Sequence, residues 1–249
     1  MNDLKGKTAV VTGGSRGFGR GIVKALAAQG MRVVAVARDR DRLDALCREV
    51  EGDVVAVSAD VTDPMAAAQT IERERPHVLV LNAGAQGLQR PTRFHTWETF
   101  SIQFQVDFKS AFIWAREALI LPLDKGSTIV LGSSGAARRP FSVNAGYAAA
   151  KGAIWTFARS LAQEAGELGL RVHCLLPIMS PETEMGRAGL QDFARRMGVT
   201  EEQIVDSKGM KPFLTPAFLG QSLVSILTDA DKASTVGFRI TGTEVIPLE

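Results

Sequence analysis

The chain contains one tyrosine, Tyr147, and a lysine, Lys151, follows it four residues later. Positions i and i+4 share one face of a helix. A phenol with a pKa near 10 is a poor proton carrier at neutral pH. A nearby ammonium favours the phenolate and lowers that pKa, so the two side chains together form a general acid–base device. Ser134 precedes Tyr147 at the end of an apolar run, and its hydroxyl can polarise a carbonyl beside the tyrosine. An amphipathic Tyr/Lys pair on a solvated helix face is the plain alternative, and spacing alone does not separate the two.

A second chemistry-bearing segment is Thr12-Gly13-Gly14-Ser15-Arg16-Gly17-Phe18-Gly19. It joins the first strand-like run to the first helical pattern. Glycines in that context let the backbone turn tightly and approach a pyrophosphate at the helix N-terminus. Gly13, Ser15, Arg16, Gly17, Phe18 and Gly19 are therefore candidate nucleotide contacts. Cofactor choice rests on Ala37-Arg38-Asp39-Arg40, at the end of the second run. An acid there would bond the ribose hydroxyls of NAD, whereas an arginine accommodates a 2′-phosphate. Arg38, with Arg16 on the same side, favours NADP over NAD, because guanidinium forks suit phosphate. The plain alternative makes Arg38 and Arg40 solvated helix-start charges.

These residues need a frame. Strands are expected at Thr8–Thr12, Arg32–Ala37, Asp53–Ser58, His77–Asn82, Thr128–Ser133, Arg171–Leu176 and Phe238–Thr241. Most are Val/Leu/Ile runs without clean alternation, as in parallel strands buried on both faces. Helical patterns lie between them: Gly19–Gln29, Arg40–Val50, Pro64–Arg75, Trp97–Leu121, Asn144–Gly166 and Pro216–Thr228. Asp63 is placed to cap the third, with Pro64 at its first position. Strand–helix alternation implies right-handed crossovers and a doubly wound parallel sheet of seven strands with helices on both faces. The span 1–249 reads as a single domain. The irregular stretch Ile178–Thr215 reads as a substrate-binding loop or lid, as long loops in compact domains usually are.

Composition narrows the function. There are 29 basic and 27 acidic residues, a net charge of +2. That balance argues against a nucleic-acid partner, which needs a basic stripe. The two cysteines, Cys47 and Cys174, have no metal-ligand spacing, so no metal is expected. They also suit a reduced, cytoplasmic setting. No apolar stretch is long enough for a membrane span, and the chain reaches a strand-like run by Thr8 without a signal-like leader.

Taken together the motifs resemble those of the short-chain dehydrogenase/reductase family, in the subgroup that holds 3-oxoacyl-acyl-carrier-protein reductases and related carbonyl reductases. The resemblance spans essentially the whole chain. It is carried in order by the glycine segment Thr12–Gly19, Asp60-Val61, Asn82-Ala83-Gly84, Ser134, Tyr147, Lys151 and Pro177. It implies a Rossmann fold and a nicotinamide cofactor. Tyr147 would give a proton to a carbonyl oxygen or take it back in oxidation. Lys151 would hold the nicotinamide ribose, and Ser134 would orient the substrate. Asp60 and Val61 would contact adenine, and Asn82, Ala83 and Gly84 would line the cofactor. Plain alternatives make Asp60 a turn residue and Asn82 a strand-end hydrogen-bonder.

The pattern departs from the family in three places. Asp107 stands where an asparagine is usual, in Val106-Asp107-Phe108-Lys109-Ser110. In relatives the main-chain carbonyl at that position holds a water that relays protons, so the relay does not depend on the side chain. An ionised Asp107 near Lys151 would hold the lysine charged more firmly, making Asp107 a candidate catalytic residue. Lys109 could instead pair with it on a solvated face. After Pro177 the usual glycine is missing, leaving Thr183 as the candidate carboxamide contact. The usual acidic-Gly-Gly near the C-terminus is replaced by Ile240-Thr241-Gly242-Thr243.

Met185, Leu190, Phe193, Met197, Ile204, Val205, Met210 and Phe213 populate the lid, and sites are mostly apolar with few polar groups. Gln86 and His95 are candidates for the mouth, and Arg138 and Arg139 for an acidic group. Phe100, Phe104, Phe108 and Phe112 recur every four residues and should form a buried stripe. The expected activity is interconversion of a small-molecule carbonyl and an alcohol by hydride transfer with NADP(H). By the same resemblance the helix bearing that stripe and the helix bearing Tyr147 form a subunit interface, implying a homotetramer or dimer. The alternatives are an NAD-dependent alcohol dehydrogenase, an epimerase or dehydratase, and a nucleotide-sensing protein without turnover.

Overall fold

Alternation within the Val-rich runs decides which helix each strand residue meets. Ala9 and Val11 of β1 (Thr8–Thr12) point to one face of the sheet, while Val10 points to the other. In β2 (Arg32–Ala37), Val33 and Ala35 join the first core and Val34 and Val36 the second. Both faces are thus apolar and both must be covered. The computed structural model describes residues 3–140 and 143–249, so residues 1, 2, 141 and 142 of the single-domain span fall outside the described residues.

The helices α1 (Gly17–Ala27), α2 (Arg40–Glu49) and α9 (Pro216–Thr228) cover the first face, through Ile22, Leu26, Leu43, Leu46, Leu219 and Leu223. The second face holds α3 (Pro64–Glu74), α5 (Lys109–Ile120) and α6 (Ala145–Glu167), through Ile71, Trp114, Ile154 and Leu161. Trp114 is fully buried and its indole N–H donates to the Val61 carbonyl at 3.0 Å. Such side chains each contribute about 1.5–3 kcal/mol by leaving water. Asp63 caps α3 as expected, accepting from the Met65 N–H at 2.9 Å.

The remaining strands are β3 (Val54–Ser58), β4 (Val78–Leu81), β5 (Thr128–Gly132), β6 (Arg171–Pro177), β7 (Gly237–Ile240) and β8 (Val245–Leu248). The spatial order is β3-β2-β1-β4-β5-β6-β7-β8. All neighbours are parallel except β7 and β8, which pair antiparallel. The expected seven parallel strands are present, and an eighth is added. The Thr241–Glu244 turn brings the chain back as a hairpin, and Thr241 N–H donates to the Glu244 carbonyl at 3.0 Å. The order reverses between β1 and β4, so a crevice opens beyond their C-terminal ends.

Two expectations about helices change. The stretch Trp97–Leu121 is not one helix. It divides into α4 (Trp97–Phe100), a π-helical turn over Phe104–Phe108, and α5. The wider turn shifts the helical phase, so the four phenylalanines do not make one buried stripe. Phe100, Phe104 and Phe108 are half-buried and Phe112 is exposed. Single π-turns inside helices often mark functional sites, and this one turns Asp107 inward. The lid is not irregular either: it carries α7 (Glu184–Met197), capped by Thr183, and α8 (Glu201–Ser207), capped by Thr200. Leu190, Ala194, Ile204, Val205 and Met210 form a small core of its own.

His173 on β6 is fully buried, and its Nδ1–H donates to the Thr235 carbonyl at 2.8 Å. Burial pushes its pKa down to about 4. The folded state therefore refuses a proton that the unfolded chain accepts near 6.5. Stability present above that pH is lost as pH falls toward 4, by about 3 kcal/mol from this residue. Denaturant titrations at several pH values should show a His173→Gln variant losing correspondingly less than the wild type over this range.

Candidate active site

The crevice at the β1/β4 reversal is a cleft of about 1030 Å³. Its floor begins with the glycine segment. Gly13 and Gly17 adopt positive φ values of +68° and +52°, which L side chains rarely take. Gly19 faces the other way: a Cβ there would stand 2.1 Å from the Gly13 carbonyl oxygen. It lies under the loop rather than on the cleft, so it shapes the cradle and does not line it. Gly13, Ser15, Arg16, Gly17 and Phe18 do line it. No side chain caps α1, while Asp39, Asp63 and Thr183 cap α2, α3 and α7. The first N–H groups of α1 are left for an anion, which the helix dipole also favours. This cradle fits the pyrophosphate of a dinucleotide.

Along the β1–β4 edge, Asn82 ties the strand ends. Its N–H donates to the Thr12 hydroxyl at 3.0 Å, and its side-chain amide donates to the Thr12 carbonyl at 3.4 Å. Asp60 closes a turn by accepting from the Thr62 N–H and hydroxyl, both at 2.8 Å, and these bonds hold its carboxyl below the usual range. Both residues do local structural work, and both line the cleft with Val61, Ala83 and Gly84.

At the end of β2, Arg38 is exposed on the cleft. Arg40 is not part of it: it turns back to Asp44 at 2.9 Å. Asp39 lines the cleft, but one oxygen accepts from the Arg42 N–H at 3.0 Å and the other pairs with the Arg42 guanidinium at 3.2 Å. Arg42 itself, which the motifs did not single out, also lines the cleft. The helix-start position of Arg42, three residues past the Asp39 cap, is the signal that points it this way.

Deeper in, Ser134, Tyr147, Lys151 and Asp107 line the same space, and Pro177 and Thr183 also line the cleft. Ser134 is buried, and its Oγ accepts from the Ala136 N–H at 3.2 Å. Its own proton therefore stays available to a substrate oxygen. The Lys151 ammonium lies 5.8 Å from the centre of the Tyr147 ring. It donates to the Gly132 carbonyl at 3.0 Å. Asp107 Oδ2 faces the same ammonium at 3.0 Å as a buried ion pair, while Oδ1 accepts from the Ala85 N–H at 2.8 Å. Lys109 is exposed and not the partner of Asp107. Burial alone would push the Lys151 pKa down, but Asp107 and Tyr147 outweigh it and hold the lysine above its usual value.

The apolar candidates of the lid divide. Met185, Phe193 and Met210 line the cleft, Met210 also joins Leu190, Ile204 and Val205 in the lid core with Phe213 packed against it, and Met197 is exposed. Gln86 and Arg139 reach the cleft, while His95 sits against Thr99 at 3.1 Å.

The sequence matches the short chain dehydrogenase family over residues 7–192. The chain belongs to the short-chain dehydrogenase family. It is 35% identical to an L-xylulose reductase of Bos taurus over 193 residues, covering 76% of this chain and 78% of that protein. It is 31% identical to carbonyl reductase [NADPH] 2 of Sus scrofa over 242 residues, covering 96% and 95%. In fold it superposes on the L-sorbose reductase of Gluconobacter frateurii complexed with NADPH and L-sorbose, at a TM-score of 0.81 and 24% identity, covering 97% and 98%. Among the described residues no helix is long and apolar enough to cross a membrane.

Proposed function

We propose that this protein is an NADP(H)-dependent oxidoreductase that interconverts a small-molecule carbonyl and the corresponding secondary alcohol, with Tyr147 as the general acid–base. One observation carries the reading: Ser134, Tyr147 and Lys151 line a single cleft that is continuous with the glycine cradle. The bound nicotinamide supplies the hydride chemistry, and the protein supplies orientation and the proton. The Ser134 hydroxyl donates to the carbonyl oxygen and holds it beside Tyr147. Tyr147 gives that oxygen its proton in reduction and withdraws it in oxidation. The Lys151 ammonium stabilises the phenolate left behind, as their mutual attraction implies.

NADP is favoured over NAD by what each charged group already does. Both Asp39 oxygens are engaged by Arg42, so the acid that would hold ribose hydroxyls is committed elsewhere. Arg38 forms no ion pair within the described residues and faces the cleft. An Arg38→Ala change should weaken NADPH binding about ten- to a hundredfold and leave NADH nearly untouched, the worth of a charged hydrogen bond. Equal losses for both nucleotides, measured by calorimetry, would exclude Arg38 as the phosphate contact. The activity itself is tested by following NADPH and NADH oxidation with a panel of ketones, quinones, steroids, ketoses and β-ketoacyl thioesters. Nucleotide binding without turnover on any of them would favour a sensing role. We also read the protein as a cytoplasmic homo-oligomer. Phe108 of the π-turn and Phe112 of α5 pack on Phe157 of α6, with ring centres 5.8 and 6.2 Å apart, and Phe112 and Ile120 remain exposed. A second copy would cover this strip.

A further inference from the structure

The nucleotide side of the cleft is bridged by an acid from the lid. Glu184, the first residue of α7, places Oε2 2.8 Å from an Arg16 nitrogen and Oε1 2.9 Å from an Arg42 nitrogen. All three residues line the cleft. The two arginines come from separate elements, the glycine segment and α2, and Glu184 joins both to a third. Its cap residue, Thr183, sits over Gly17, within 3.7 Å of where a Cβ would be. The lid otherwise has its own small core, so this clasp is a tie between the lid and the nucleotide side.

We propose that Glu184 is a specificity-determining residue: it holds Arg16 and Arg42 with a carboxylate from the lid and so competes with the 2′-phosphate of a phosphorylated dinucleotide. The inference rests on the reading of the cleft as a nicotinamide-nucleotide site. A dianionic phosphate near Arg38 must either displace Glu184 from the guanidinium groups or lie close to its negative charge. Both routes weaken NADP(H), and neither touches NAD(H), which carries no charge at that oxygen. Displacement also frees the start of α7, so the phosphorylated cofactor loosens the lid while the unphosphorylated one leaves it clasped. Glu184 thus moderates a preference that Arg38 creates.

The three side chains are 44–58% exposed, so the effect is modest. Glu184→Gln keeps the shape and removes the charge. Calorimetry at low salt should find NADPH bound about three- to tenfold tighter by this variant than by the wild type, the scale of one or two exposed ion pairs. NADH affinity should change less than about twofold on the same grounds, and the NADPH gain should shrink as salt is raised. Hydrogen exchange of the wild type should show α7 amides exchanging faster with NADPH bound than with NADH bound. Equal shifts for the two nucleotides, or no tightening of NADPH, would overturn the role given to Glu184 while leaving the cofactor site intact. Binding of neither nucleotide by the wild type would overturn the site itself and this inference with it.

Discussion

A Tyr147→Phe variant is expected to bind NADPH as the wild type does and to lose about two to four orders of magnitude in kcat, the usual contribution of a positioned general acid. The substitution removes one oxygen from a half-buried residue and leaves the ring in place beside Lys151. Folding should be unaffected. Ser134 still donates a hydrogen bond to the substrate oxygen, so binding and some polarisation survive, and the loss falls on the proton step. A variant whose rate equals that of the wild type would remove Tyr147 from the mechanism. Because the chain has no other tyrosine, a tyrosinate absorbance signal from the wild type has a single source, and its disappearance in the variant controls for the assignment.

The parts of the site fixed by backbone geometry were readable in sequence, as was the approach of Asp107 to Lys151; the partnerships made by Arg40, Arg42 and Glu184 were not. The glycine spacing, the end of each strand and the Tyr147/Lys151 step are local facts. They landed together because the β1/β4 reversal brings the strand ends to one crevice. Arg40 illustrates the limit: it lies two residues past Arg38, but its partner is Asp44, one helical turn on. Arg42 and Glu184 are separated by most of the chain and meet only after the lid folds into helices, which its weak patterning concealed. The phenylalanine repeat misled for a related reason. A four-residue period implies a stripe only in an uninterrupted helix, and the π-turn at Phe104–Phe108 breaks the phase. The antiparallel β8 was missed because Val245–Leu248 is short and contains Pro247, which suits an edge strand and weakens the strand signal.

That π-turn also sets up the second large effect. Asp107 and Lys151 have side chains 1% and 7% exposed and form an ion pair at 3.0 Å. Breaking a buried pair by removing one partner leaves an uncompensated charge, at a cost of about 3–5 kcal/mol. Asp107→Asn should therefore lower stability at neutral pH by an amount near the lower end of that range, since the amide can still accept from the Ala85 N–H. The pH dependence identifies the cause. The folded-state pKa of Lys151 is raised above its unfolded value of 10.5. The stabilisation is thus complete below that pH and is lost as pH rises through the folded value. Denaturant curves should show the gap between wild type and Asp107→Asn at full width at neutral pH and closing under alkaline conditions. A gap that is constant with pH would assign Asp107 a packing role alone. In activity the wild type should turn over, because Lys151 keeps its charge beside Tyr147 and the carboxylate holds the ammonium without occupying the Ser134 hydroxyl. A wild type that binds NADPH and reduces nothing, with activity restored in Asp107→Asn, would mean instead that the carboxylate has taken the lysine out of the reaction. The buried pair would then be a lock on the site rather than its support.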